Sequence, residues 1–542
     1  MKNQKTILIS LLLILILAAF LRFFRLGGVP PSLSWDETAL GYNAYSVGLT
    51  GKDEYGKKWP ISYFASFGDY KPPVYVYLAV LPIKIFGLNE FAVRFPSAFF
   101  GTLTVLATYF LVKELFSDLV SQHPKISVSL IASFLLAISP WHLQFSRVAF
   151  ESNLGLSLTI LGALFFLKGL KRPIFWPFSF LIFGLSLFSY HSNRLFVPLL
   201  IFGLCLIYKK EIWSKKKWFL CSFAIFLLFF PPLLFELSST LSRARAVSVF
   251  AQPKLLERSI AKIEKDEESG FPLGRIIHNR RIVYALAFFK NYFSHFNLGW
   301  LFLTGDIPRH HAPGMGVLYF FELPLIFLGI LKLLEFSGKT RWVVFTWFLL
   351  APTASSFSTG APHAVRSLVF LPTFQIFTAL GIFQTTEWLK KGGLKRRFLL
   401  STFYSLLSMN IFYFLHQYFV HLNNEYSAFW QYGYKEIVLE VAKKREKHPR
   451  VFVTTEYDQP YIFFLFYLKY SPQKYQEEIA GVSEFDRYHR EFDKFIFVPI
   501  GWDRIPPDSL VVGTPDEVPD FANIQKKIYF LDGKEAFRIA LK

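Results

Sequence analysis

The sequence predicts an α-helical polytopic membrane protein of about eleven transmembrane helices, completed by a small outer-face α/β domain at the C-terminal end. Three observations carry that expectation. The 542 residues are 53% hydrophobic and only 18% charged, whereas soluble domains are about a quarter charged. Long apolar runs recur up to residue 418, each near the length that crosses ~30 Å of hydrocarbon. Beyond residue 426 the pattern changes to short strands, turns and an amphipathic helix.

The N-terminal "MKNQKTILISLLLILILAAFLRFF" opens on basic residues followed by an apolar stretch, as a secretory signal does. That stretch continues past residue 20 without a small-x-small cleavage site, so a retained first span over 7–26 is expected, with its N-terminus in the cytoplasm. Further runs lie at 93–112, 128–146, 153–167, 174–190, 193–208, 218–236, 316–334, 342–358, 367–385 and 398–418. Alternation sends "KGLKRP" (168–173), "KKEIWSKKK" (209–217), "LKLLEFSGKTR" (331–341) and "KKGGLKRR" (390–397) to the cytoplasm. All are rich in Lys or Arg, as short cytoplasmic loops are.

The outward segments are then 27–92, 147–152, 237–315, 359–366 and everything after 419. Within the first of them, "KPPVYVYLAVLPIKIFGLNEF" is interrupted by Pro82 and Lys84 and reads as an interfacial helix. A span there would invert the charge pattern downstream. The tail contains an amphipathic helix in "AFWQYGYKEIVLEVAKKREKHP" and strands in "RVFVTTEY", "KFIFVPIG" and "SLVVGTP". A hairpin turns at Asp532-Gly533. "PYIFFLFYLKY" is too short to span. The expected division is a transmembrane unit over 1–426 and an extracytoplasmic α/β domain over 427–542.

The net charge of +20 would suggest nucleic acid in a soluble chain. No recognition module accompanies it, so basic loops facing anionic headgroups explain it better. Cys205 and Cys221 both lie in apolar runs and predict neither a disulfide framework nor a zinc site.

Ionisable residues gather at the outward ends of the spans. Asp36 and Glu37 follow the first span, beside Trp35 and Tyr42. A carboxylate at such a low-dielectric boundary gains basicity and can accept a proton near neutral pH. Adjacent side chains usually point apart, so the two acids need not act together. Arg147 and Glu151, four apart, would share a helix face as an ion pair or serve a site. "GDYKPPVYVY" places Asp69 and Lys71 before a stiff Pro-Pro. "SYHSNRLFVP" brings His191, Asn193 and Arg194, "TGDIPRHHAPGMGVLYF" Asp306, Arg309, His310 and His311, and "STGAPHAVRSLVFLP" His363 and Arg366. Outward arginines run against the positive-inside preference, and a phosphate in the outer leaflet would hold them. The neighbouring His310 and His311 hint at a metal, but no i,i+4 pair is read as supporting one.

These motifs resemble a known family. "LRFFRLGG…SWDETALGYNAYSV…DYKPPVYVYL…GLNEFAVRFPSAFFGTLTVLATYFLVKELF" is similar to the opening of the type-C glycosyltransferases of family 39, which include protein O-mannosyltransferases and aminoarabinose transferases. The matching features are Asp36-Glu37, Pro72-Pro73 and Arg94-Phe95-Pro96. The resemblance covers about residues 20–380 and is strongest over 20–115. Where the family tends to carry Asp four residues after an arginine, this chain has Glu151.

The resemblance implies a type-C glycosyltransferase fold. It implies transfer of a sugar from a polyprenyl-phosphate donor to a glycan, lipid or protein acceptor on the outer face, with inversion. Asp36 is the expected general base, Glu37 and Glu151 the further catalytic acids. Donor phosphate or sugar contacts are expected from Lys71, Arg147, Arg194, Arg309, Arg366, Tyr42, Asp69 and His191. The resemblance predicts no particular cofactor and leaves a divalent metal open. Membrane lipids are expected partners; nucleic acid is not. The competing reading is a transporter or flippase, which would place its ions nearer the bilayer midplane.

Overall fold

In the computed structural model, residues 2–117, 128–235, 248–336, 338–390, 394–483 and 490–542 are described. The expected outward stretch 237–247 and part of the basic loop 390–397 lie outside them. Every apolar run read from the sequence carries helix. In chain order these are α1 (Lys2–Phe23), α4 (Glu90–Leu115), the bent pair α5 (Val128–Ile138) and α6 (Pro140–Ser146), and α7 (Glu151–Lys171). Then follow α8 (Phe175–Leu187), α9 (Asn193–Ile207), α10 (Lys216–Leu227) with α11 (Phe230–Phe235), α14 (Glu322–Glu335), α15 (Lys339–Leu350), α16 (Thr373–Lys390) and α17 (Leu394–His416).

Among the described residues, five helices are long and apolar enough to cross a membrane, or six with the bent pair. The expectation of about eleven full spans is therefore met only in part. The run 128–146 is not one straight span: Pro140 lacks an N–H and follows the cap Ser139, and the axis bends by 58°. The run 316–334 becomes helical only at Glu322, and 342–358 breaks at Ala351-Pro352. Small residues let the bundle close where α14 meets α16. A Cβ on Gly329 would lie 1.8 Å from the Phe377 carbonyl, and one on Gly381 2.1 Å from that of Leu325.

The segment between α1 and α4 holds more structure than the sequence suggested. A helix α2 (Trp35–Thr50) starts at a capping box, in which Ser34 and Glu37 satisfy each other's backbone N–H groups, and stops at Gly51 in the left-handed region. Two short strands, β1 (Phe64–Ser66) and β2 (Asp69–Lys71), pair antiparallel. Their turn residues Phe67 and Gly68 both have positive φ (57° and 70°), which suits the right-handed twist of a tight hairpin. The Pro-Pro then opens α3 (Pro73–Phe86), with Pro73 at the first helical position where no N–H is needed. The longer helices described between α11 and α14 are α12 (Pro253–Glu268) and α13 (Arg280–Ser294).

The tail is an α/β unit. The helices α18 (Tyr434–Lys444), α19 (Pro460–Tyr467) and α20 (Pro472–Glu478) surround a sheet in the order β4-β5-β3-β6-β8-β7. Its strands are β3 (Val451–Val453), β4 (Arg490–Phe492), β5 (Phe495–Phe497), β6 (Leu510–Gly513), β7 (Asn523–Tyr529) and β8 (Glu535–Leu541). Parallel pairing of β3 with β5 and β6 forms its centre. "PYIFFLFYLKY" is α19, buried between the sheet and α2 rather than in a membrane. One apolar core runs from α2 and α3 through α19 into the sheet. The approach is close: a Cβ on Gly41 would sit 2.6 Å from Val93 and 2.7 Å from Phe466. The helix that presents Asp36 is thereby clamped between bundle and tail.

Candidate functional site

Asp36 occupies the first turn of α2, and the hairpin aims Lys71 at it: Lys71 Nζ lies 2.5 Å from Asp36 Oδ1. Asp69 and Lys71 are two apart on β2, so their side chains share one face of the ribbon. The Lys71 ammonium is largely buried, which lowers its pKa, but the charges of Asp36, Glu151 and Asp69 outweigh that and raise it. Carboxylates on three different elements therefore act on one cation, Asp36 by direct contact. His191 donates from Nε2 to the Tyr70 carbonyl at 2.7 Å, which brings the start of α9 against the same ribbon. Arg194, on the first turn of α9, donates to the Leu187 carbonyl at 3.3 Å and is half-buried.

Arg309 closes the other side. Its guanidinium stacks 4.3 Å from the ring centroid of Trp35, an arrangement that stabilises a cation on an aromatic face. Burial lowers its pKa, and the charges of Asp36, Glu37 and Asp458 act in the opposite sense. The tail contributes here. Gln431 accepts the Trp35 N–H at 2.8 Å and donates to the carbonyls of Tyr457 (2.6 Å) and Asp458 (3.2 Å).

A second group lies beside it. Asp306 and His310 are four apart and 3.0 Å from each other, and His363 Nδ1 is 3.9 Å from the same carboxylate. Burial lowers His310 and takes His363 to about 3, so both imidazoles are neutral at physiological pH. Burial alone would raise Asp306, but its hydrogen bonds with His310 and the Ala364 N–H hold it down at about 2. A carboxylate and two neutral imidazoles, their ligand atoms all within 4.8 Å, form the donor set of a divalent metal such as zinc. The fit is supported by His363 Nδ1, which is buried and has no hydrogen-bond partner. The partner of His310 is Asp306 at i−4, not the neighbouring His311, which instead turns its Nδ1 to the Ala312 carbonyl. That Asp-x-x-x-His spacing was visible in the sequence and is the signal that could have found the cluster. Arg366 stands next to this group, donating to Ser358 Oγ (2.7 Å) and the Thr359 carbonyl (2.9 Å).

Three sequence expectations are corrected. Glu37 does not stand beside Lys71; it is 1% exposed and pairs with the fully buried Arg94, Nε to Oε1 at 2.9 Å. It also accepts the N–H groups of Ser34 and Ala149. All its acceptor capacity is used to join α2, α4 and the turn before α7. Arg147 is not a phosphate ligand and does not share a helix with Glu151. It ends α6, is fully buried, and donates to the carbonyls of Leu21, Arg22, Phe24 and Val29. Carbonyls at and just beyond the end of α1 take up both terminal nitrogens of this buried guanidinium, while its Nε has no hydrogen-bond partner. Tyr42 points to the tail, donating to the Tyr470 carbonyl at 3.2 Å. Glu151 opens α7 and is half-buried near Lys71.

A family model described as dolichyl-phosphate-mannose-protein mannosyltransferase matches residues 70–235, which include Lys71, Glu151, His191 and Arg194. No curated protein matches the chain by sequence. The ArnT of Cupriavidus metallidurans in the apo state is similar with a TM-score of 0.55 and 11% identity, over 100% of this chain and 98% of that one. The same protein bound to undecaprenyl phosphate gives 0.52 and 12%, over 99% and 98%. The Archaeoglobus fulgidus oligosaccharyltransferase tethered with an acceptor peptide gives 0.48 and 14%, over 85% of this chain and 62% of that one. The chain thus spans about three fifths of the length of that archaeal relative. It is a multi-pass membrane protein with the ArnT fold, and its resemblance to the type-C glycosyltransferases of family 39 holds in fold and in family match alike.

Proposed function

We propose that this membrane protein transfers a sugar from a polyprenyl-phosphate donor to an acceptor hydroxyl at the tail-side membrane surface, facing out of the cytoplasm, with inversion at the anomeric carbon. The observation that carries the reading is the Asp36–Lys71 pair, flanked by Asp69 and Glu151 and capped by Arg309 over Trp35. A lipid phosphate needs cations at headgroup depth, and a hydroxyl nucleophile needs a carboxylate beside them. The undecaprenyl phosphate named for the Cupriavidus relative supports a lipid of that class.

In the resting site Lys71 neutralises Asp36. An arriving donor phosphate competes for the ammonium, and Asp36 is released as the base. Asp36 takes the proton of the acceptor hydroxyl as its oxygen bonds to the anomeric carbon and the bond from that carbon to the phosphate oxygen breaks. The electron pair of that bond leaves on the polyprenyl phosphate, where Lys71 and Arg309 stabilise the developing charge. Glu151 orients the acceptor or the sugar, and Arg194 and His191 line the sugar side. A metal held by Asp306, His310 and His363 would supply a fixed positive charge beside this site.

Purified protein incubated with a panel of polyprenyl-phosphate sugars, in parallel with Asp36→Asn, tests this. Release of sugar or polyprenyl phosphate by wild type, reduced at least about 100-fold in the variant, is the expected result. Equal release by both would move the base away from Asp36. A panel that yields neither turnover nor thermal stabilisation would favour transport.

A further inference from the structure

Helix α13 (Arg280–Ser294) carries Ile282, Leu286, Phe289 and Phe293 at spacings of four, three and four, so they form one stripe. They are 39%, 63%, 52% and 65% exposed, an arrangement that a water-facing helix avoids. Arg281 and Lys290, both exposed, lie about 70–110° to either side of the stripe's centre. An apolar stripe with cations on its flanks is the pattern of a helix lying in a lipid interface, its charges reaching back to the headgroups.

The opposite face is already occupied. Tyr284 packs on Phe250 at 5.0 Å between ring centroids and Phe288 on Phe357 at 4.7 Å. Tyr292 donates to the carbonyl of Leu349 at 2.7 Å. Leu349 ends α15 and is itself 52% exposed. The packed face thus ties α13 to a bundle helix whose own flank is exposed, and the bare stripe points away from that contact.

We propose that α13 lies in the tail-side leaflet of the bilayer, with the Ile282–Phe293 stripe among the acyl chains and Arg281 and Lys290 on anionic headgroups. This seating has a consequence for the candidate site. Asn291, on the protein face of α13, donates to the carbonyls of Ser356 (3.2 Å) and Ser358 (3.1 Å), and Arg366 donates to Ser358 Oγ. The same short segment joins the helix to the arginine, so the bilayer holds Arg366 at the depth of lipid phosphates. The occupant of the stripe is bulk lipid, and the assignment needs no turnover by the protein.

The test places an environment-sensitive fluorophore at Phe289→Cys in a chain whose Cys205 and Cys221 are replaced by Ala. The protein is reconstituted into vesicles of phosphatidylcholine with or without phosphatidylglycerol. Glu267→Cys, exposed on the neighbouring helix, is the aqueous control, and Phe293→Cys is the second probe should the first perturb packing. The expected result is quenching of the Phe289 and Phe293 probes by acyl-chain doxyl groups and protection from iodide. The Glu267 probe should show the reverse. Arg281→Ala with Lys290→Ala should weaken protection in vesicles containing phosphatidylglycerol more than in those without it. Iodide access at both stripe positions overturns the assignment. Protection that appears only on adding polyprenyl phosphate assigns the stripe to the donor chain instead, and protection that grows with protein density assigns it to a second copy. Either result also overturns it.

Discussion

The ammonium of Lys71 sits 2.5 Å from the carboxylate of Asp36, while Glu37, the next residue, is turned into a buried pair with Arg94. Two adjacent acids thus meet two different cations on two different elements. The helix makes this unavoidable, because neighbouring positions on α2 point about 100° apart. One acid is left partly exposed against Lys71 and the other is built into the frame.

Lys71 and Asp36 are expected to fail differently when altered. Lys71→Met should raise the KM for a polyprenyl-phosphate sugar at least tenfold, about 1.4 kcal/mol of lost phosphate contact. Asp36→Asn should lower kcat and tighten donor binding, because it removes the carboxylate that competes with the phosphate for Lys71. Steady-state kinetics over a donor titration separates the two. A kcat defect confined to Lys71→Met would reverse the roles.

Glu37→Gln leaves the Arg94 guanidinium buried with only carbonyl partners. Removing one member of such a pair costs about 3–5 kcal/mol. Thermal unfolding in detergent should show a marked fall, and Arg94→Met should show a similar one. A Glu37→Gln protein that melts with wild type while losing only turnover would restore a catalytic role to that acid.

The helical runs and the alternating strands of the tail were legible because burial imposes a period, and α3 because Pro-Pro followed by apolar residues leaves few alternatives. The helix α2 was not, since its apolar residues meet neighbours on all sides and give no stripe. For the site, Asp36, Lys71 and Arg309 could be picked out as charges near a membrane boundary. What separates Arg309 from Arg147 is whether carbonyls already satisfy the guanidinium, and that depends on residues over a hundred positions away. Gln431 carried no signal at all: an exposed-looking glutamine in the tail becomes a bracket for Trp35 only after the tail has docked.

Asp306, His310 and His363 should bind one zinc-like ion per chain. Elemental analysis of protein purified without chelator is expected to find it, and His363→Ala should weaken affinity by more than about 100-fold, beyond the usual effect of an outer partner. Metal content unchanged in that variant would assign the ion elsewhere.

Arg309 owes part of its placement to the Trp35 face. Trp35→Leu removes an interaction of about 0.5–2 kcal/mol, which corresponds to roughly a 2- to 30-fold loss of donor affinity. Gln431→Ala frees the Trp35 backbone from the tail and should produce a smaller loss in the same direction. Calorimetric titration with polyprenyl phosphate measures both. Binding indifferent to either change would remove Trp35 and the tail from the phosphate site.

The raised pKa of Lys71 fixes the pH behaviour of its ion pair. A lysine whose folded pKa lies above its unfolded value of about 10.4 contributes stability that is fully present below that value, and loses it as pH rises through the folded pKa. The three carboxylates around Lys71 set this direction against the opposing effect of burial. The stability difference between wild type and Lys71→Met should therefore stay constant from about pH 6 to pH 9 and shrink only above about 10.4. Donor affinity should follow the same course, because the ammonium is the form that binds phosphate. Denaturation and binding measured across that range give two independent curves. If both bent near pH 8, burial would have won over the carboxylates, and Lys71 would be partly neutral where the reaction is proposed to need its charge.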